Sequence, residues 1–120
     1  LVKALVEKGA HVGFTYASRP DAAENVLAEI RKINPETASL HMALQMNVAD
    51  GDSVEKGMDE FLSKMGAIEG LVNNAGITKD QLLLRMKAED FDDVLQTNLR
   101  GTFLCTKVVS KIMLKARKGS

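Results

Sequence analysis

The sequence predicts an α/β fold: a doubly wound parallel sheet with helices on both faces. Short apolar runs alternate along the chain with amphipathic segments of helical period, in the order α-β-α-β-α-β-α. Parallel strands need a crossover connection, so this alternation indicates βαβ units. Hydrophobic residues make up 45% of the 120 residues, an ordinary share for a globular domain. No internal repeat or linker divides the chain.

The first half of the chain supplies two helices and two strands. Leu1–Gly9 has apolar residues at 1, 2, 5 and 6 and ends in a cation followed by glycine, a helix C-terminal signal. Ala10–Tyr16 is predicted as a strand. Ser18–Asp21 opens the next helix, which Asn34–Pro35 ends. Ala38–Met46 is predicted as the second strand.

A third helix and a third strand follow. Asn47–Asp50 is predicted as a loop with Asp50 as the N-cap. Val54–Met65 carries apolar residues at helical spacing, and Gly66 closes that helix. Ile68–Val72, with its apolar residues Ile68, Leu71 and Val72, is predicted as a short buried strand.

The last third is mainly helical. Ile77–Arg85 is predicted as a mobile or partly helical loop. A helix starts at Lys87–Asp90, is interrupted at Asn98, and continues as a long helix through Phe103–Leu114. Gly101 lies just after the interruption and is expected to allow close packing.

The strand at Ile68–Val72 runs directly into Asn73-Asn74-Ala75-Gly76. Amide side chains at the end of a buried strand are costly unless they are hydrogen-bonded. In an open α/β sheet that end is where ligands bind, and small residues there allow a ligand to approach the backbone. The alternative is a strand that simply enters a turn of the Asn-Gly type.

Composition excludes several function classes. The formal net charge is zero, so bulk charge suggests neither a nucleic acid nor an acidic surface as partner. No apolar run approaches the ~20 residues of a membrane span. Cys105 is the single cysteine, in agreement with a reducing compartment. His11 and His41 are placed in strands without metal-ligand spacing, so they are interpreted as structural, and no metal site is expected.

Two motifs resemble one known family, the short-chain dehydrogenases/reductases. They are Asn73-Asn74-Ala75-Gly76 and the later run that begins at Asn98 and continues Leu-Arg-Gly-Thr-Phe. The longer run from Asn73 to Lys87, in which Asn-Asn-Ala-Gly is followed by Ile-Thr-Lys-Asp-Gln-Leu-Leu-Leu-Arg-Met-Lys, is similar to the β-ketoacyl-[acyl-carrier-protein] reductases of fatty-acid synthesis. The resemblance covers essentially the whole chain and implies a Rossmann-like fold.

The resemblance also implies that this chain is a fragment. Family members begin with a strand and a glycine-rich phosphate loop, and they continue to a catalytic Ser, Tyr and Lys. Leu1–Gly9 matches the rear of the helix after that loop, and the catalytic trio would lie beyond Ser120. We therefore expect residues 1–120 to be a single partial NAD(P)-binding domain. In the family sheet the missing first strand lies between Ala10–Tyr16 and Ile68–Val72.

The cofactor residues are likewise implied by the resemblance. Asn73, Asn74, Ala75 and Gly76 would line the ribose and nicotinamide side, and Asn47-Val48 would contact the adenine. For Asn47 the alternative is a turn residue before a helix cap.

The choice of cofactor depends on Tyr16-Ala17-Ser18-Arg19. NAD-binding members usually carry an acidic residue there, and this chain has none before Asp21. Arg19 could pair with a 2′-phosphate, which favours NADP(H). The alternative is a solvated loop cation.

Asn98 matches the fourth member of the family's catalytic set, in which a bent helix holds a water in a proton relay. Its alternative is an ordinary kinked helix. Arg117 aligns with an arginine implicated in docking the acyl-carrier protein, although cations near a helix C-terminus also suit its dipole. The resemblance further implies a cytoplasmic homotetramer with the helix Asn98–Leu114 in an interface.

Three other functions stay open. The full protein could be a short-chain reductase for a different ketone or alcohol, or a nucleotide-binding module without catalysis. The chain could also be a non-functional fragment, because strands that lose a neighbour expose unpaired edges. We expect the 120 residues alone to bind NADPH poorly and to reduce nothing.

Overall fold

Two parallel strands lie at the centre of the structure, a computed structural model that describes all of residues 1–120. β1 (Gly13–Tyr16) pairs with β2 (Met42–Gln45) in a register that sets Gly13 opposite Met42 and Tyr16 opposite Gln45. The strands are parallel because a helix crosses over between them, as the alternating pattern predicts. The predicted α/β class is confirmed, with a small and incomplete sheet.

Helices and helical turns occupy most of the remaining chain. In order, the elements are α1 (Val2–Glu7), β1, α2 (Pro20–Ile33), a 3-10 helix (Pro35–Leu40), β2, α3 (Gly51–Met65), a 3-10 turn (Leu83–Arg85), α4 (Ala88–Leu95), a π-helical turn (Gln96–Arg100) and α5 (Gly101–Ala116). No helix of the chain combines the length and the apolar character needed to cross a bilayer.

Apolar clusters form on both faces of the sheet. One cluster lies between the sheet and the helices α1 and α2. It includes the buried residues Leu27 and Ile30 of α2, and Phe14 of β1 packs against it. The other cluster lies under α3 and α5 and includes Val54 and Val109, which are almost fully buried. Alternate strand residues serve the two faces, as the period of a strand requires.

Both predicted strands are shorter than expected. The strand predicted over Ala38–Met46 contains only Met42–Gln45, because Asn34 and Pro35 start a 3-10 helix instead. The Asn34 side chain accepts a hydrogen bond from the Glu36 amide at 3.2 Å, a local turn that competes with extended structure. The strand predicted over Ala10–Tyr16 starts at Gly13.

The two histidines consequently precede the strands rather than lying within them. Ahead of β1, the Val12 amide donates to Nδ1 of the fully buried His41 at 3.2 Å instead of joining the ladder. His11 lies next to this ring, with the ring centroids 6.5 Å apart in an edge-to-face arrangement. The structural interpretation of His41 therefore has a specific basis in its hydrogen bond to the backbone.

The strand predicted at Ile68–Val72 is wrong as a regular strand. Ile68 is buried, but Val72 is 58% exposed. The backbone of the segment is hydrogen-bonded to one distant residue, Ser120. The Leu71 amide donates to the Ser120 carbonyl at 2.9 Å, and the Ser120 amide donates to the Glu69 carbonyl at 3.0 Å. An extended segment becomes a strand only where a neighbour completes its ladder.

The helix boundaries agree better with the sequence. Asp50 caps α3 by accepting from the Asp52 amide at 3.0 Å, and Gly66 ends that helix in the left-handed region with φ of 80°. The expected interruption at Asn98 is present as the π-helical turn between α4 and α5. These boundaries fix the elements that surround the candidate site.

Candidate functional site

The carboxyl ends of the two strands share one edge of the sheet. The Met46 amide donates to the Tyr16 carbonyl at 2.9 Å, and the Gln45 side chain donates to the Ala17 carbonyl at 3.3 Å. Residues that follow β1 and β2 therefore start from the same edge. That edge is where open α/β sheets bind ligands.

The amide stretch after Ile68–Val72 is anchored to α5. The Asn73 side chain donates to the Thr106 hydroxyl at 3.1 Å. The Asn74 amide donates to the Val72 carbonyl at 3.0 Å, while its side chain has no hydrogen-bond partner within the chain. Thus the Asn73 side chain holds the segment in place, and the Asn74 side chain is free to bind a ligand.

Asn98 holds the end of this stretch from the π-helical turn. Its Oδ1 accepts from the Ile77 amide at 2.8 Å and its Nδ2 donates to the Ile77 carbonyl at 2.9 Å. A Cβ placed on Gly76 would lie 3.3 Å from the same Oδ1. The Asn98 carbonyl accepts from the Thr102 hydroxyl at 2.8 Å. The structure therefore places the Asn73–Gly76 stretch and Asn98 side by side.

Val48 reaches the same place from the end of β2. A Cβ on Gly101 would lie 2.7 Å from Cγ2 of Val48, so the loop after β2 packs against the start of α5. A cavity of about 10 Å³, roughly one water in size, lies between them. Its lining residues are Val48, Asn73, Ala75, Thr97, Gly101, Thr102 and Cys105. Three of the predicted cofactor residues thus line one cavity.

Asn47 forms a turn in the structure. Its Oδ1 accepts from the Ala49 amide at 3.1 Å, and its own amide donates to the Ser53 hydroxyl at 2.9 Å. These are the bonds of the turn interpretation. The carboxamide nitrogen has no partner within the chain and can still donate outward.

Arg19 lies past the end of β1 on an open groove of about 330 Å³, between that strand and the start of α2. Tyr16, Ala17 and Ser18 share the lining. The guanidinium is 3.5 Å from the Asp21 carboxylate, and both side chains are largely exposed. A pair this open is weakened by water and salt, so Arg19 is available to another anion.

Arg117 is not part of this arrangement. It follows α5 in the left-handed region with φ of 54°, at the opposite end of the helix from Asn98. With a rise of 1.5 Å per residue, the two are separated by roughly 28 Å along the helix axis. Arg117 could therefore contact a partner but not the amide stretch.

Sequence reasoning missed the groups that hold the site together. Thr102 and Thr106 bond Asn98 and Asn73, and Lys79 pairs with Asp90 at 3.1 Å and with Asp93 at 2.6 Å. The position of Thr102 four residues after Asn98 was a usable signal, because a hydroxyl can bond the carbonyl one turn back.

Two groups near the site have shifted pKa values. The hydrogen bonds that Lys79 donates to Asp93 and then to Asp90 raise the pKa of Lys79, so this ammonium stays charged. Burial raises the pKa of the Cys105 thiol, which keeps it protonated and unreactive. No three His, Cys, Asp or Glu side chains converge in the chain to form a metal site.

Several features of this edge are typical of a dinucleotide-binding sheet. Gly76 and Gly101 have no side chains that would keep a ligand away from the backbone near the Asn73–Gly76 stretch. The free carboxamide of Asn74 can both donate and accept hydrogen bonds. A groove with an exposed guanidinium lies past β1 on the same edge of the sheet. Together with the fold, these features define the class of α/β proteins that bind a dinucleotide at the carboxyl edge of a parallel sheet.

Comparison with known proteins gives the family. A family model described as short chain dehydrogenase matches residues 1–120, and the chain belongs to this family. It is 46% identical over 116 residues to the 3-oxoacyl-[acyl-carrier-protein] reductase FabG of Staphylococcus epidermidis, covering 97% of this chain and 46% of the relative. It is 48% identical to the 3-oxoacyl-[acyl-carrier-protein] reductase of Synechocystis, covering 97% and 45%. The chain thus spans just under half the length of these reductases.

Solved structures agree with this assignment. A double mutant of a Serratia marcescens short-chain dehydrogenase/reductase superposes with a TM-score of 0.83 at 28% identity, covering 92% of this chain and 44% of the other. ElxO with NADP bound superposes with a TM-score of 0.81 at 30% identity, covering 98% and 46%. The Rossmann-like architecture is therefore established, with a small part of its sheet present here.

Proposed function

We propose that this chain is the cofactor-binding part of an NADPH-dependent reductase. In fatty-acid biosynthesis the full-length enzyme would convert 3-oxoacyl-[acyl-carrier-protein] to 3-hydroxyacyl-[acyl-carrier-protein]. The observation that carries the proposal is the double hydrogen bond of Asn98 to Ile77. It joins the helix bend to the segment that leaves the amide stretch, so two parts of one site are held together. The names of the 46% and 48% identical relatives support the substrate class.

On the cofactor side, we assign Asn73, Asn74, Ala75 and Gly76 to the ribose and nicotinamide. Asn47 and Val48 would contact the adenine through the free carboxamide nitrogen and the apolar side chain. Arg19 would bind a 2′-phosphate, because a planar guanidinium can donate two parallel hydrogen bonds to it. When bound, NADPH would supply the hydride that reduces the carbonyl carbon.

Asn98 is assigned to the proton relay. Its carbonyl already accepts one hydrogen bond from Thr102, and a carbonyl oxygen has a second lone pair. That lone pair could hold a water at the helix bend. Both polar atoms of the Asn98 side chain are already bonded to Ile77, so in this proposal the backbone carbonyl holds the relay water.

The partner proposals concern the far end of α5 and the exposed face of α4 and α5. Arg117 is exposed and adjoins Lys115 and Lys118, so we propose that it contacts an acidic carrier protein. Four apolar side chains follow one another at intervals of four residues along this face: Phe91, Leu95, Leu99 and Phe103. Each is at least 40% exposed, which supports their burial in a homotetramer. We place the enzyme in the cytoplasm, in agreement with its single buried, unpaired thiol.

The proposal is tested with a full-length reductase polypeptide that carries this sequence. We expect it to reduce acetoacetyl-[acyl-carrier-protein] with NADPH far faster than with NADH, and to sediment as a tetramer. Arg117→Glu should raise KM for the carrier-linked substrate and leave reduction of acetoacetyl-CoA unchanged. Reduction of other ketones but not of the thioester would favour a different short-chain reductase. Tight NADPH binding without any reduction would favour a non-catalytic module.

A further inference from the structure

Lys79 forms an ion-pair cluster that none of the assigned roles uses. Its ammonium lies 2.6 Å from an Asp93 oxygen and 3.1 Å from an Asp90 oxygen. Both acids belong to α4, three residues apart, and therefore share one face of that helix. One cation thus bridges two carboxylates that would otherwise repel each other.

Lys79 lies between a residue that is held by Asn98 and a turn that is exposed to solvent. Two residues earlier, Ile77 is held on both backbone groups by Asn98. A few residues later, Leu82, Leu83 and Leu84 are 68%, 84% and 99% exposed. Lys79 is therefore the last side-chain attachment to the helices before the exposed turn.

We propose that Lys79 is a positioning residue that fixes the segment 76–79 for cofactor binding. This inference rests on the proposed function of the amide stretch. Asn98 fixes Ile77 from α4–α5, and the Lys79 cluster fixes the other side of Thr78 to the same helical unit. Motion of the leucine turn is thereby kept from reaching Gly76 and the ligand-facing side of Asn74.

The physics of the cluster makes this attachment sensitive to salt. The three side chains are 35% to 57% exposed, so the ion pairs are screened by water and by ions. Asn98 and Ile77 are joined by neutral hydrogen bonds, which salt affects little. Salt should therefore loosen the segment beyond Ile77 first.

The test compares Lys79→Ala, Lys79→Arg and the double variant Asp90→Asn with Asp93→Asn in the full-length reductase. Arg85→Ala is the matched control, because Arg85 is an exposed cation of the same loop without an ion pair. For Lys79→Ala we expect amide exchange at 76–79 to rise, and KM for NADPH to rise by about 3- to 10-fold with kcat little changed. Lys79→Arg should restore both values. Adding 0.5 M salt to the wild type should move it toward the Lys79→Ala values.

The double acid variant should reproduce Lys79→Ala, and combining all three changes should add nothing further. The inference is overturned if exchange at 76–79 is unchanged in Lys79→Ala, or if Arg85→Ala has the same effect. Exchange is read without cofactor, so this result stands whether or not the protein reduces 3-oxoacyl thioesters. Absence of NADPH binding in the wild type would instead overturn the proposed function.

Discussion

Gly101 lies so close to Val48 that a side chain at 101 would overlap it. A Cβ there would be 2.7 Å from Val48 Cγ2, 3.1 Å from its Cβ and 3.3 Å from its carbonyl oxygen. Neither a β-branched side chain nor a backbone carbonyl can move away easily. This contact joins the loop after β2 to the start of α5, so it sets the distance between the predicted adenine and nicotinamide ends of the site.

Gly101→Ala should therefore destabilise the protein although alanine is the better helix former. Overpacking costs about 1–3 kcal/mol, against ~1 kcal/mol of helix propensity gained. Urea unfolding measures the net loss, and Val48→Ala should recover most of it. Gly51→Ala at the start of α3 is the matched control: its Cβ would meet only Leu104 at 3.9 Å, so that variant should be neutral or slightly more stable. Equal stability of the two alanine variants would contradict the overlap.

The Asn98 side chain provides a second prediction. Asn98→Ala removes both bonds to Ile77, whereas Asn98→Asp keeps an acceptor and sets a carboxylate oxygen against the Ile77 carbonyl. Each lost bond is worth about 0.5–1.5 kcal/mol of local stability. Amide exchange at Ile77 should accelerate in both variants, and it should not change in Gln96→Ala, an exposed neighbour in the same helical turn. Unchanged protection of Ile77 in Asn98→Ala would show that other contacts hold the segment.

Arg19 provides a prediction about cofactor choice. Arg19→Ala should weaken NADPH binding by about 10- to 100-fold, since a hydrogen bond to a charged group is worth ~1.5–3 kcal/mol, and should leave NADH binding almost unchanged. Asp21→Asn is the control, because it frees Arg19 from its 3.5 Å neighbour and should not weaken NADPH binding. The measurement is the dissociation constant of each variant for NADPH and for NADH, obtained by titration of the full-length reductase. A parallel loss for both nucleotides would indicate that Arg19 does not contact the 2′-phosphate.

Much of the fold follows from sequence, because helices are specified locally. Asp50 and Gly66 cap α3 as expected, and Asn98 marks the interruption between α4 and α5. Strands are less predictable, since their bounds depend on neighbours far along the chain. Ile68–Val72 has a strand-like composition yet pairs only with Ser120. The geometry of the site is harder to predict than the strands. The Lys79 cluster joins residues that are 11 and 14 positions apart, and no periodic pattern in the sequence indicates this contact.

The buried imidazole of His41 predicts a loss of stability in acid. Burial, followed by the positive charges of His11 and Arg31, lowers the pKa of His41, and its Nδ1 must stay unprotonated to accept from Val12. Its folded pKa lies below the unfolded value of ~6.5, so this contribution is complete above pH 6.5 and is lost as pH falls toward the folded pKa. The loss cannot exceed ~1.4 kcal/mol per pH unit. Urea unfolding from pH 7.5 to 5 measures it, and His41→Leu should be less stable at pH 7.5 but with a flatter pH profile. An equally steep profile would assign the pH dependence to other groups.

The 120-residue chain alone should bind NADPH weakly and reduce no thioester. Its sheet has two strands, and the segment 68–72, which carries the amide stretch, is not hydrogen-bonded to β1. Only 16 of its 120 residues are buried, so little apolar area opposes the entropy of the chain and the edge of β1 stays open. The amide stretch and the Arg19 groove can then move relative to each other, which lowers the affinity for a ligand that must touch both. NADPH fluorescence titrated with micromolar chain measures binding, and absorbance at 340 nm with acetoacetyl-[acyl-carrier-protein] measures reduction. Saturable enhancement of the fluorescence, or any steady turnover, would show that two strands already hold the site in its binding geometry.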